Sequence, residues 1–158
     1  DRFKYWLDPW ADAQGKGYQT IQSLLAIGSG GLFGRGFGLS RQKHLWVPEP
    51  HNDFIFSIVC EELGLIGAMV IIILFCALVW RGFSIAMKAP DKFGSLMAVG
   101  LTFQVGLQAI LNILVVTNTI PNTGISLPFF SYGGTALVLL LTQMGIVLSI
   151  SRSINAKQ

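Results

Sequence analysis

FGSLMAVGLTFQVGLQAILNILVVTNTIPNTGISLPFFSYGGTALVLLLTQMGIVLSIS, residues 93–151, contains no Asp, Glu, Lys, Arg or His over 59 consecutive positions. A soluble domain cannot build its surface from such a stretch, since about a quarter of its residues are normally charged. A bilayer core takes about 20 apolar residues per helix, so the stretch is too long for one crossing. It breaks at 117–124, TNTIPNTG, where Pro121 and Gly124 end a lipid-exposed helix. The pattern therefore predicts one helix over 94–116 and another over 134–151. The connection, 117–133, is uncharged but holds Pro121, Pro128, Gly133 and the aromatic run Phe129, Phe130, Tyr132. It is expected to fold back against protein at the membrane boundary, because irregular backbone at that depth must be satisfied by protein or water.

Upstream, LGLIGAMVIIILFCALVW at 63–80 is an 18-residue uncharged run and gives a third crossing. The expected fold class is all-α, a polytopic helical membrane protein with about three transmembrane helices and a large loop carrying short helices. Composition agrees: 52% of the 158 residues are apolar and 12% charged, which excludes a disordered chain. A net charge of +3 with scattered cations excludes a basic nucleic-acid arm. Cys60 and Cys76 lie in apolar helical sequence and read as packing residues without a disulfide or metal role.

Cytoplasmic loops retain Lys and Arg. Arg81, Lys88 and Lys92 fall in 81–92, and Arg152 and Lys157 in the tail, whereas 117–133 holds none. This bias expects 81–92 and 152–158 inside, and 1–62 and 117–133 outside. A chain starting outside without a preceding hydrophobic helix is expected to be the C-terminal piece of a larger polytopic protein.

Residues 1–62 hold most of the ionisable chemistry. DRFKYWLDPW suits an interfacial helix or loop, and GYQTIQSLLAIGSGG a short amphipathic or re-entrant helix stopping at Gly28. The run GSGGLFGRGFG, 28–38, has neither G-x-G-x-x-G nor G-K-[ST] and no strand before it. Tight turns at positive φ explain it most simply, with a backbone nest for a lipid pyrophosphate as the alternative.

The densest constellation is RQKHLWVPEPHND, 41–53, followed by the apolar FIFSIVC and by Glu61 and Glu62. Pro48 and Pro50 hold it extended, and Asn52 is suited to cap a helix starting at Asp53. That helix is expected to run unbroken from Asp53 to Trp80, about 42 Å at 1.5 Å per residue. Asp53 then stands at the membrane mouth on a rigid element, either as a dipole-stabilised terminus or as a reactive group. Glu61 and Glu62 sit at the headgroup boundary or, if deeper, face a cavity. His44 and His51 lack zinc spacing, although a carboxylate-bound divalent cation near a pyrophosphate is compatible with these residues.

Several segments together resemble the SEDS family (shape, elongation, division and sporulation), the peptidoglycan polymerases typified by FtsW, RodA and SpoVE. They are DPW at 8–10, GYQ-x2-QS at 17–23, GSGGLFG-x-G-x-G at 28–38, SRQK at 40–43, PEPHNDFIF at 48–56, EELG at 61–64, Asn112, and T-x3-P-x-TGI-x-LPF-x-SYGG at 117–134. They run colinearly over nearly the whole chain, and the QK and PEPHNDF forms look more like the FtsW and SpoVE branch than RodA.

The resemblance implies a peptidoglycan glycosyltransferase of the bacterial cytoplasmic membrane that polymerises lipid II on the outer face, for division, shape or sporulation. Asp53 is implied as the catalytic residue. The partners implied are undecaprenyl-pyrophosphate-linked lipid II, the nascent glycan and a class B penicillin-binding protein. Lys43, with Arg41 and Arg35, is the clustered cationic set for pyrophosphate, and Glu49 is expected to tune substrate binding. On this reading 1–62 is the extracellular loop with the active-site region, 63–151 holds the three crossings, and 152–158 is a cytoplasmic tail. A lipid II flippase with Asp53, Glu61 and Glu62 as gating groups, and a non-catalytic division scaffold, are the alternatives.

Overall fold

A computed structural model of the chain describes residues 2–12, 17–37, 54–130 and 133–156. The described residues are all helical or irregular. In chain order the helices are α1 (Arg2–Leu7), a 3-10 turn (Pro9–Asp12), α2 (Tyr18–Gly30), α3 (Ile55–Lys88), α4 (Lys92–Val116) and α5 (Gly134–Ala156). The last three are long and apolar enough to cross a membrane.

The helix α3 spans 34 residues, of which 65–88 alone reach about 36 Å at 1.5 Å per residue, more than the roughly 30 Å of hydrocarbon. The expectation of an unbroken helix from 53 to 80 is corrected in the middle and at its C-terminal end. The α-helix begins at Ile55, with Phe54 as an N-cap that makes no side-chain bond; Asn52 and Asp53 lie outside the described residues. In the middle, Gly64 takes φ 68°, ψ −163° and interrupts the helix. Residues 65–88 continue the helix beyond the break. They carry the helix through Arg81 to Lys88, so most of 81–92 is helix and only 89–91 is a connection.

That connection is dictated by two residues. Pro90 has no N–H and pushes Ala89 into extended backbone (φ −62°, ψ 134°). Asp91 then caps α4, its carboxylate accepting from the Gly94 N–H at 3.1 Å. The two helices return against each other through small residues: Gly82 packs on Thr102, and Gly106 on Val79. Such residues let helix backbones approach closely where lipid offers no hydrophobic drive to association. Ala98, Thr102, Val105 and Ala109 are buried along this seam. The seam continues into a core of Phe56, Cys60, Phe75, Val116, Leu127 and Leu140. Cys60 is buried, Cys76 is exposed, and both are free thiols.

After α4, Asn118 takes a left-handed φ of 57°, a conformation asparagine tolerates better than most residues. The chain then runs back along α4. Asn112 donates Nδ2–H to the Ile125 carbonyl at 2.8 Å, and Gln108 donates Nε2–H to the Ser126 carbonyl at 3.0 Å. Gln108 is eight residues before Val116, so the segment descends about 12 Å. Leu127 and Pro128 are fully buried at its foot. Phe129, held at φ 68°, faces Phe75 with ring centroids 6.4 Å apart. Two carbonyls of the irregular backbone, those of Ile125 and Ser126, are thus satisfied by side chains of α4, in keeping with its uncharged sequence.

Candidate functional site

The helix break at Gly64 is the feature around which the N-terminal part is organised. In a continuous helix the N–H groups of Leu65 and Ile66 would donate to the carbonyls of Glu61 and Glu62. Residues 31–36 insert there instead. Arg35 N–H donates to the Glu61 carbonyl at 3.0 Å and Gly36 N–H to the Glu62 carbonyl at 3.2 Å, while Leu65 N–H donates to Gly31 at 2.9 Å and Ile66 N–H to Leu32 at 3.4 Å. Two lost helical bonds are replaced by four from the glycine-rich segment, so the break carries no orphaned backbone at those positions.

This geometry needs glycine. Gly31, Gly34 and Gly36 have φ of 57°, 73° and 108°, and a Cβ on Gly34 would fall on the Glu62 carbonyl. The turn reading of the run is therefore the observed one. The phosphate-nest alternative is corrected for three of its donors: the N–H groups of Gly34, Arg35 and Gly36 already donate to Gly30, Glu61 and Glu62.

Behind the clamp, α2 lies against the first turns of α3, with Gly30 on the Cys60 carbonyl and Ala26 fully covered. It extends to Gly30, two residues past the expected stop. Ser23 donates Oγ–H to the Val116 carbonyl at 2.9 Å, and Trp6 donates Nε1–H to the Asn118 carbonyl at 3.0 Å. The N-terminal segment, the break and the start of the re-entrant segment therefore share one end of the bundle.

Of the site residues expected from sequence, Arg35 alone is described; its backbone is part of the clamp and its side chain is exposed. Lys43, Arg41, Glu49 and Asp53 lie outside the described residues, as do His44 and His51. Their flanks are fixed: Gly36 is bonded to Glu62, and Phe54, partly buried, packs against the core at the head of the same helix.

Two carboxylates stand at the break. Glu61 is 1% exposed, and Glu62 holds Oε1 buried without a hydrogen-bond partner among the described residues. The sequence singles out both glutamates but points only to the headgroup boundary or a cavity wall. The structure puts their backbones in the clamp. No group of three or more His, Cys, Asp or Glu side chains converges among the described residues.

A family model, that of the cell cycle proteins FtsW, RodA and SpoVE, matches residues 1–156. The chain belongs to this family. It is 54% identical over 151 residues to stage V sporulation protein E of Bacillus subtilis (strain 168), covering 96% of this chain and 41% of that protein. Proteins named probable peptidoglycan glycosyltransferase FtsW are 46% identical in Geobacter sp. (strain M18) and 47% in B. subtilis, each over 95% of this chain. A solved peptidoglycan synthase complex, described as coordinating polymerization and crosslinking, contains a chain that superposes with a TM-score of 0.74 at 35% identity, over 97% of this chain and 41% of that one. The rod shape determining protein RodA of Thermus thermophilus, solved as an aspartate-to-alanine mutant, gives 0.64 at 35% identity, over 82% of this chain and 39% of that one. The chain spans about two fifths of the length of the curated relatives it matches. It is a multi-pass membrane protein of the FtsW/RodA/SpoVE family.

Proposed function

We propose that this protein is a peptidoglycan glycosyltransferase that polymerises lipid II on the outer face of the bacterial cytoplasmic membrane. The observation that carries the reading is the 46–47% identity, over 95% of the chain, to proteins named as probable peptidoglycan glycosyltransferases. The donor is a glycan on undecaprenyl pyrophosphate and the acceptor the 4-hydroxyl of a lipid II GlcNAc. Asp53 takes the hydroxyl proton as the oxygen attacks the anomeric carbon; the new C–O bond forms with inversion as the bond to pyrophosphate breaks. Lys43, assisted by Arg41 and Arg35, offsets the charge on the departing pyrophosphate, and Glu49 tunes substrate binding. The Lys/Arg bias supports 1–62 and 117–133 outside, and 81–92 and 152–158 inside. The similarity to a chain of a peptidoglycan synthase complex supports a class B penicillin-binding protein as partner. The test is glycan-strand formation from purified lipid II with that partner, wild type against Asp53→Asn.

One observation favours a second reading, a lipid II transporter: a discontinuous helix beside two carboxylates, Glu61 buried and Glu62 partly so, is a common arrangement for gating or proton coupling. A transporter moves lipid II across proteoliposomes without lengthening glycan and loses that movement in Glu62→Gln. A polymerase makes glycan whether or not lipid II crosses.

A further inference from the structure

At the end of the bundle away from the clamp, an open cavity of about 80 Å³ lies between α3 and α5. Arg81, Ser84, Ile85 and Lys88 line it from α3, and Ser151 and Asn155 from α5. The α3 residues fall at i, i+3, i+4 and i+7, one face of the helix. The lining therefore combines two cations, three small polar side chains and isoleucine from both helices, with no acid. After Glu62 the chain has a single carboxylate side chain, Asp91, and that one is occupied in capping α4. Neither Arg81 nor Lys88 has an ion-pair partner among the described residues.

The position of the cavity identifies the kind of anion. It lies where the apolar run of α3 ends, next to Trp80, whose side chain is 77% exposed as expected of a ring at the membrane–water interface. Cationic pockets between transmembrane helices at that level recognise phosphate-bearing lipid headgroups. Ile85 gives the cavity an apolar wall beside its cations, which suits a phosphate attached to acyl chains better than a free ion. We propose that this cavity binds the phosphate headgroup of an anionic phospholipid. Nothing in this assignment depends on the glycosyl-transfer reading, because the cavity lies at the other end of the bundle from the clamp.

The test is native mass spectrometry of the purified, delipidated protein titrated with phosphatidylglycerol or with phosphatidylcholine of the same acyl chains. Wild type is expected to hold phosphatidylglycerol in preference. The Arg81→Gln/Lys88→Gln protein should lose about fivefold in affinity for each cation removed. Lys92→Gln, which removes a charge at the start of α4 that is outside the cavity's lining, should bind like wild type. The exchanged pair Arg81→Lys with Lys88→Arg keeps both charges and should stay within about threefold. Equal binding by wild type and the double glutamine variant overturns the proposal. So does an equal loss in Lys92→Gln, which would mean diffuse charge, or displacement of the lipid by millimolar inorganic phosphate, which would mean a free-anion site.

Discussion

Gly34 and Gly64 lie backbone against backbone, each at positive φ (73° and 68°), and a Cβ on either would meet main-chain atoms of the other's segment. The contact explains why a helix expected to be continuous is broken nine residues in, and why the break persists. The glycine-rich segment reaches the α3 backbone only if neither residue has a side chain. Once there, it supplies the hydrogen bonds the helix has lost.

Replacing Gly34 by Ala should therefore destabilise the protein by about 2–4 kcal/mol, combining left-handed strain with a main-chain collision. A drop in melting temperature of at least about 5 °C is expected. Gly28 provides the control: it is helical, with nothing within 4 Å of a built Cβ. Alanine there should be neutral or stabilising by up to about 1 kcal/mol. Equal melting temperatures for the two variants would show that the clamp contributes nothing to stability.

The re-entrant segment should loosen when its polar anchor is cut. Asn112→Ala leaves the Ile125 carbonyl without its donor, at a cost of about 1–3 kcal/mol. A cysteine introduced at Ser126, half-buried in the protein, should then react with a thiol reagent several-fold faster than in the Asn112 background. An unchanged rate would show that the Gln108 bond to Ser126 and the packing of Leu127 and Pro128 hold the segment without Asn112.

Much of this architecture is legible in the sequence, for a physical reason. Apolar runs of membrane length admit one solution, the helix, so α4 and α5 follow from the absence of charge between 93 and 151. The return of 117–130 against α4 is equally forced, because uncharged irregular backbone needs internal partners. The break at Gly64 is not legible. A lone glycine in an apolar helix is common, and its meaning depends on a segment thirty residues earlier in the chain. The glycines of that segment signal turns, but not that the turns pair with α3. For the site, charge and proline content mark the ionisable cluster 41–53. They do not reveal the tertiary pairing of Gly36, upstream of that cluster, with Glu62 of α3.

Orientation is checked by single cysteines at Asn122 and Ala89. With five Lys and Arg on one side and none in 117–133, an impermeant reagent applied outside intact cells should label Asn122→Cys and leave Ala89→Cys unmodified. The reverse pattern would put the proposed active-site loop in the cytoplasm.

Lys43 is expected to act through charge on the leaving pyrophosphate. Lys43→Ala should slow lipid II turnover by on the order of tenfold or more, and Lys43→Arg should retain part of the rate, since charge matters more than donor geometry for this role. If Lys43→Ala turns over lipid II like wild type, the role passes to Arg41 and Arg35.

The proposed reaction stands or falls on Asp53 as the base of the glycosyl transfer, and the polymerisation rate of purified Asp53→Asn protein on lipid II, beside its penicillin-binding partner, decides it. Asparagine keeps the size and most of the capping ability of aspartate but cannot take up the proton. The rate should be lower by about 100-fold or more, with melting temperature and membrane insertion unchanged. Glycan synthesis within a few-fold of wild type, at equal folding, would contradict this role for Asp53.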